Sequence, residues 1–189
     1  MRDDEAKRRF TAIYDANRQR VWAYAVSRAG RGIADEVVSE TFAVGWRRLA
    51  DIPEPPLPWL LGVARNVLRD SYRAQARRDS LAAELGTWTD PSMLAGEDVA
   101  ETVTERLSVL GALKSLPESD RELLILIAWQ GLRPQDAGQV VGCSTAALRV
   151  RLLRARRRLV RALDAVQPGQ ERPARAEQTL AHDVAEELA

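Results

Sequence analysis

Between Ser144 and Arg161 seven arginines, Arg149, Arg151, Arg154, Arg156, Arg157, Arg158 and Arg161, stand without one acidic residue among them. A guanidinium is permanently charged and offers its donors in a planar fork matched to carboxylate and phosphate oxygens. An uncompensated group of this kind calls for an anionic partner. A second set lies earlier in the chain, where Arg65, Arg69, Arg73 and Arg77 recur every four residues with Asn66 beside them. That spacing aligns them on one helix face, as a track for a phosphate backbone. Residues for catalysis have no such concentration. The only histidine is His182, no Gly-rich phosphate loop occurs, and no nucleophile has a neighbouring base. The single cysteine, Cys143, excludes an internal disulfide and a cysteine-based metal cluster. The expectation is a protein that is not an enzyme and needs neither metal nor cofactor.

The elements that must position the arginines are legible from periodicity. Leu148, Leu152, Ala155 and Leu159 form the buried stripe of the later basic helix. Before it, Pro134 suits the first turn of a short helix, with Ala137, Val140 and Val141 on its apolar side. Gly142-Cys143 supplies a tight turn, and Ser144 is placed to cap the helix that follows. A short helix, a Gly-containing turn and a longer basic helix form the layout of a helix-turn-helix, whose second helix enters the major groove of DNA. A solvated surface helix, or a basic helix for a membrane or a calmodulin-like partner, has a similar charge pattern. A membrane helix would need bulkier apolar residues opposite the charges.

The chain has 189 residues, 46% of them hydrophobic, and a net charge of only +1 from 28 basic and 27 acidic side chains. The near balance hides segregation. Residues 79–104 carry six acids and no base, and the tail from 164 to 189 carries six acids and two bases. Local patches, not totals, decide where phosphates bind. No apolar run approaches the ~20 residues of a membrane span, and the charged start Met1-Arg2-Asp3-Asp4-Glu5 is followed by no signal-peptide core. A cytoplasmic protein without membrane insertion is expected.

In order, the chain reads as a helix over 5–29 that ends at Gly30 and Gly32, then a helix over 34–49. Val38, Thr41, Phe42, Gly45, Trp46 and Leu49 form the inner face of the second, and Glu36, Glu40, Ala43 and Arg47 its outer face. Four prolines between Asp51 and Pro58 make a stiff extended loop. The helix from Trp59 buries Leu60, Ala64, Val67, Leu68 and Ser71. The acidic stretch 79–104 is a flexible linker between two small helical domains. Past it, Leu107, Leu110 and Leu113 mark one helix, and Leu123, Leu124, Ile127 and Ala128 the core face of the next, which stops at Gly131. The fold class is all-α, with a helix-turn-helix in the C-terminal domain. Beyond Pro168-Gly169 the acidic tail is a frayed terminus, or a segment that covers a basic helix when the protein is free.

Particular residues carry a family resemblance. Ala34-Asp35-Glu36-Val37-Val38-Ser39-Glu40-Thr41-Phe42 with Trp46, then Trp59-Leu60-Leu61, Ala64-Arg65-Asn66 and Arg77-Arg78, resemble the second conserved region of extracytoplasmic-function (ECF) sigma factors of bacterial RNA polymerase. Ala112-Leu113, Leu116-Pro117-Glu118 and Asp120-Arg121-Glu122-Leu123-Leu124, running on to Arg154-Ala155-Arg156-Arg157-Arg158-Leu159, resemble the fourth. The resemblance covers about 10–78 and 105–163, in the family's order.

The resemblance implies a sigma factor that binds core RNA polymerase and directs initiation at promoters. Residues 1–78 would hold the polymerase clamp through Asp35, Glu36, Glu40 and Arg47. They would also melt the −10 element and hold its single strand through Leu57, Trp59, Arg65, Asn66, Arg69, Arg73 and Arg77. Tyr72 is a further stacking face. Residues 105–163 would read the double-stranded −35 element through Thr145, Ala146, Arg149, Val150, Arg151, Leu153, Arg154 and Arg157. Of these, Arg149 is best placed for a bidentate contact to guanine, worth ~1–3 kcal/mol of discrimination; Arg151, Arg154 and Arg157 suit phosphates. An anti-sigma protein commonly restrains members of this group. Three sites depart from the family pattern: Pro53-Glu54-Pro55-Pro56 in the −10 loop, the small pair Ala137-Gly138, and Ala146-Ala147 where Gly-Thr is frequent, the last two predicting looser packing of the supporting helix.

The segment from Leu116 to Leu159 also resembles the helix-turn-helix domain of LuxR-type transcriptional regulators. The arginine helix over 59–78 separates the two readings, since such regulators have no second nucleic-acid helix of this kind.

Overall fold

The computed structural model describes residues 2–84, 109 and 111–166. Among them every regular element is helical, as expected for an all-α chain. The N-terminal group is α1 (Arg2–Ala29), α2 (Ala34–Arg47) and α3 (Leu57–Glu84); the C-terminal group is α4 (Glu118–Leu124), α5 (Pro134–Val141) and α6 (Thr145–Val166).

Gly30, at φ 77°, ends α1 in a conformation that a side chain disfavours. α2 buries Val37, Val38, Thr41, Phe42 and Gly45. It stops at Arg47, and a single 3-10 turn, Leu49–Asp51, replaces its expected last residues. Trp46, expected inside, is 43% exposed. It lies at the rim of an aromatic cluster, with its ring 5.1 Å from that of Phe10. The proline loop is shorter than the sequence suggests, because α3 already begins at Leu57 with Pro58 in its first turn, where a missing N–H costs nothing. α3 buries Leu60, Leu61, Ala64 and Leu68, whereas Val67 and Ser71, also expected inside, are half-buried. It runs to Glu84, so the first six positions of the expected linker are helical. The rest of that linker, with Leu107 and Leu110, and the tail beyond Val166 lie outside the described residues.

In the C-terminal group α4 continues into a widened turn, Ile125–Trp129, closed by the Gln130 N–H donating to the Ile125 carbonyl at 3.0 Å. The extra residue per turn rotates the face that follows. Leu123, Leu124, Ile125 and Leu126 are all buried, whereas within the widened turn Ile127 is half-buried and Ala128 exposed, against the expectation for both. Burial of four consecutive residues also means that two sides of this helix are covered. α6 packs on one side. On another, the Arg20 guanidinium donates to the Gln130 carbonyl from α1.

The two groups thus form one packed body in which α3 also lies against α5. Separate domains were expected from sequence; their contact was not.

Gly138 corrects the expectation of loose packing. A Cβ there would stand 2.8 Å from the Cys143 carbonyl oxygen, and the Cys143 N–H donates to the Gly138 carbonyl at 2.9 Å. The small residue lets the turn close tightly against α5.

Candidate nucleic-acid interface

α6 is set in place by its first residues. Gly142 adopts the left-handed conformation, φ 74° and ψ 41°, that ends α5. The Ser144 hydroxyl then accepts from the Ala147 N–H at 3.2 Å, satisfying one of the free donors of the new helix. Leu148, Leu152 and Ala155 are buried, as their spacing predicts, and Leu159, the last of the expected stripe, is half-buried. On the opposite side Ala146, Arg149, Val150, Leu153, Arg154 and Arg157 are exposed together, and Thr145 and Arg151 are half-buried at the edges. Among the described residues Arg149, Arg154 and Arg157 have no ion-pair partner. Arg158 does: it pairs with Asp120 of α4, so one of the seven arginines is neutralised within the fold.

The earlier basic helix differs. Arg65 does not project freely; its Nε donates to Glu122 Oε1 at 2.9 Å. Asn66 and Arg69 are exposed and hydrogen-bonded to each other at 3.1 Å, and Arg73 lies 3.6 Å from Asp70. Arg77 belongs to α3, but its side chain lies outside the described residues. The face of Trp59 is covered by the Arg48 guanidinium, 5.7 Å from the ring centroid. Leu57 is only 5% exposed and forms part of the core. As the first residue of α3 it faces inward, and this removes it from the base-contacting candidates. On α2 Asp35, Glu36, Glu40 and Arg47 are all exposed, with Glu40 and Arg47 paired at 3.3 Å.

Sequence reasoning missed a polar network buried between the two groups of helices. Its centre is Glu122, 2% exposed. Glu122 Oε1 accepts from the Tyr24 hydroxyl at 2.7 Å and from Arg65 Nε at 2.9 Å. Arg28 stands 3.9 Å from Glu122 Oε2 and 2.7 Å from Glu118 Oε1. Burial, and after it the Glu122 carboxylate, raises the Tyr24 pKa well above the ordinary phenol range, so the hydroxyl stays a neutral donor. The Tyr72 hydroxyl donates to the Arg28 carbonyl at 2.8 Å and ties α3 to the end of α1; burial raises its pKa as well. Beside the network an apolar groove of about 870 Å³ runs between Trp22, Val26, Tyr72, Leu113, Ile125 and Trp129. The one available signal was Tyr24 itself, since a tyrosine on a buried stripe needs a partner for its hydroxyl.

Among the described residues no cluster of three His, Cys, Asp or Glu side chains is arranged to hold a metal ion. No described helix is long and apolar enough to cross a membrane.

Comparison with known proteins adds to this geometry. Residues 13–78 match sigma-70 region 2 and residues 106–159 match sigma-70 region 4. The RNA polymerase sigma factor CnrH of Cupriavidus metallidurans is 30% identical over 187 residues, covering 87% of this chain and 98% of that protein. The ECF sigma factor EcfG of Rhodopseudomonas palustris is 34% identical over 143 residues, covering 72% of this chain and 75% of its own length. A probable sigma factor of Xanthomonas campestris, RfaY, is 36% identical over 129 residues; the match takes in 65% of this chain but only 32% of RfaY. The structure of CnrH in complex with the cytosolic domain of CnrY superposes with a TM-score of 0.59 at 25% identity, over 84% of this chain and 90% of that one.

Proposed function

The chain belongs to the extracytoplasmic-function sigma factors of the sigma-70 family, and from that membership we propose that it binds core RNA polymerase, recognises the −35 and −10 elements of promoters and directs initiation. The observation that carries this reading is the presence of sigma-70 regions 2 and 4 in order, each containing its own arginine-bearing helix with an apolar stripe that packs into the core.

In this reading α6 enters the major groove of the −35 element. Arg149 contacts base edges, while Arg154 and Arg157 hold phosphates, which position the protein without specifying sequence. Thr145, Ala146, Val150, Arg151 and Leu153 complete the contact surface. α3, through the exposed Asn66, Arg69 and Arg73 and through Arg77 further along the helix, holds the displaced strand of the −10 element by a cationic path beside stacking faces. Arg65 and Trp59 join it once their present partners are exchanged. Asp35, Glu36, Glu40 and Arg47 on α2 meet the polymerase. Residues 1–78 and 105–163 are the working domains, and 79–104 is the connection between them. The protein acts in the cytoplasm and performs no catalysis of its own. An anti-sigma protein is its regulatory partner, as the family resemblance implies, and the related CnrH likewise forms a complex with a second protein, the cytosolic domain of CnrY. A LuxR-type regulator is disfavoured by the second arginine helix.

Run-off transcription tests the proposal, using core polymerase of the source bacterium with a pool of its own promoter fragments. Transcripts are expected only when the protein is added, and Arg149→Ala is expected to abolish those from a subset of −35 sequences. Tight, specific duplex binding without any association with core polymerase would replace the sigma reading by the regulator one.

A further inference from the structure

The network around Glu122 is built from two unequal halves. Tyr24, Arg28 and Arg65 belong to the N-terminal helices, and Glu118 and Glu122 to α4. The N-terminal half holds its shape within its own group, because the Tyr72 hydroxyl fixes the Arg28 carbonyl at 2.8 Å and so holds the end of α1 against α3. Two guanidinium groups and a neutral phenol donor therefore converge on one point, now taken by the Glu122 carboxylate from the other group of helices, with Glu118 beside it holding Arg28 at 2.7 Å.

That carboxylate fills the point incompletely. Glu122 Oε1 takes both the Tyr24 and the Arg65 hydrogen bonds, while Oε2 stays 3.9 Å from Arg28. The Arg28 side chain is 10% exposed, and its Nε is buried with no hydrogen-bond partner. A buried donor without an acceptor is costly and rare. A carboxylate spreads its acceptors in one plane. A backbone phosphate is tetrahedral, and its two non-bridging oxygens share one full negative charge and stand farther apart than those of a carboxylate, so that one can take Tyr24 and Arg65 while the other reaches Arg28. Arg65 is also followed on α3 by the exposed Asn66 and Arg69, so the point lies at the end of the surface assigned to the −10 strand.

We propose that Tyr24, Arg28 and Arg65 form a phosphate-binding site for the single-stranded promoter DNA, which Glu122 occupies as a stand-in while the two domains are packed together. The inference rests on the sigma-factor reading for the identity of the strand. Separation of the domains withdraws Glu118 and Glu122 and leaves two uncompensated positive charges on the N-terminal side. DNA binding and domain closure then compete for the same donors. Tyr24 and Arg28 become DNA-contacting residues, although neither lies in the arginine row of α3.

The test uses the full chain. Asp15→Cys and Gln139→Cys, introduced with Cys143→Ser, place a fluorescent donor and acceptor on exposed positions of the two domains. Binding is read with a fluorescein-labelled single-stranded oligodeoxynucleotide of mixed sequence, against inorganic phosphate and a duplex of the same length. Glu122→Gln keeps the side-chain shape and removes the charge. It is expected to lengthen the donor–acceptor distance and to tighten single-strand binding about tenfold, the scale of one charge-assisted hydrogen bond. Adding Arg65→Gln or Tyr24→Phe to it should cancel that gain, and duplex binding should not change.

Domains that separate without tighter single-strand binding would overturn the proposal. So would a gain that survives Arg65→Gln, a gain matched by the duplex, or no change in either measurement. Competition by millimolar inorganic phosphate as effective as that of the oligonucleotide would make the ligand a free anion and overturn the strand assignment. Circular dichroism checks folding. If Glu122→Gln does not fold, Tyr24→Phe alone serves, with a longer distance expected and an unchanged distance counting against the proposal. Association of the wild-type chain with core polymerase is measured in parallel. Its failure removes the sigma reading, whereas its success with an inert Glu122→Gln removes only this site.

Discussion

The two arginine helices of this protein have nearly the same sequence character and opposite situations. α6 buries a stripe of Leu148, Leu152 and Ala155 and leaves Arg149, Arg154 and Arg157 exposed. α3 buries Leu60, Ala64 and Leu68 by the same rule, yet its first arginine is held by a carboxylate from across the domain boundary and its first aromatic is covered by Arg48. The density of positive charge along a sequence therefore measures how much anion a helix can hold, and not whether it is free to hold it. In the proposed reading α6 is ready for rigid duplex DNA, whereas the Arg65 and Trp59 end of α3 becomes available only after the molecule rearranges, which suits a strand that exists only once the duplex has opened.

The contrast is most sharply tested by alanine at one arginine of each helix. Arg65→Ala leaves Glu122 buried with half its partners, and should lower stability to urea by at most about 3 kcal/mol, since domain separation offers the carboxylate a way to water. Arg149→Ala should leave the urea midpoint unmoved while weakening duplex binding. Equal losses of stability from the two would erase the distinction between an engaged and a free arginine. A smaller effect is expected at the turn that aims α6. Gly138→Ala forces its Cβ against the Cys143 carbonyl and should cost about 1–3 kcal/mol, with weaker duplex binding and unaltered single-strand binding. Thermal melting and fluorescence anisotropy read both; an innocuous alanine would mean that α5 and the turn do not depend on this approach. The smallest effect is Ser144→Ala, which removes the cap of α6 for about 1 kcal/mol. Its loss should fall on the first turn, so amide hydrogen exchange should quicken at Ala146 and Ala147 and not in α3.

Much of the site was readable because it rests on short-range rules. The Ser144 cap, the Gly142 turn and the stripe of α6 each follow from residues within one or two turns of one another, and each is found where spacing placed it. Legibility failed where a residue's fate depended on a distant neighbour. Leu57 was read as part of an open loop but starts a helix and enters the core. Ile127 and Ala128 followed an ideal helical period that the widened turn at Ile125–Trp129 breaks. Gly138 read as a weakness because the sequence does not show the carbonyl that needs its missing side chain.

By itself the sequence determined the all-helical class, the two arginine helices, the helix-turn-helix and, through two motifs in order, the family. These properties depend on backbone periodicity, capping and composition, which act over a few residues. Only the tertiary structure decided which arginines are free. The hydrogen bond from Tyr24 to Glu122 joins positions 98 apart, and Glu122 beside Leu123 and Leu124 carries no local mark that separates a solvated acid from a buried one. Burial of a charge is settled by what packs over it, and here that is the other domain.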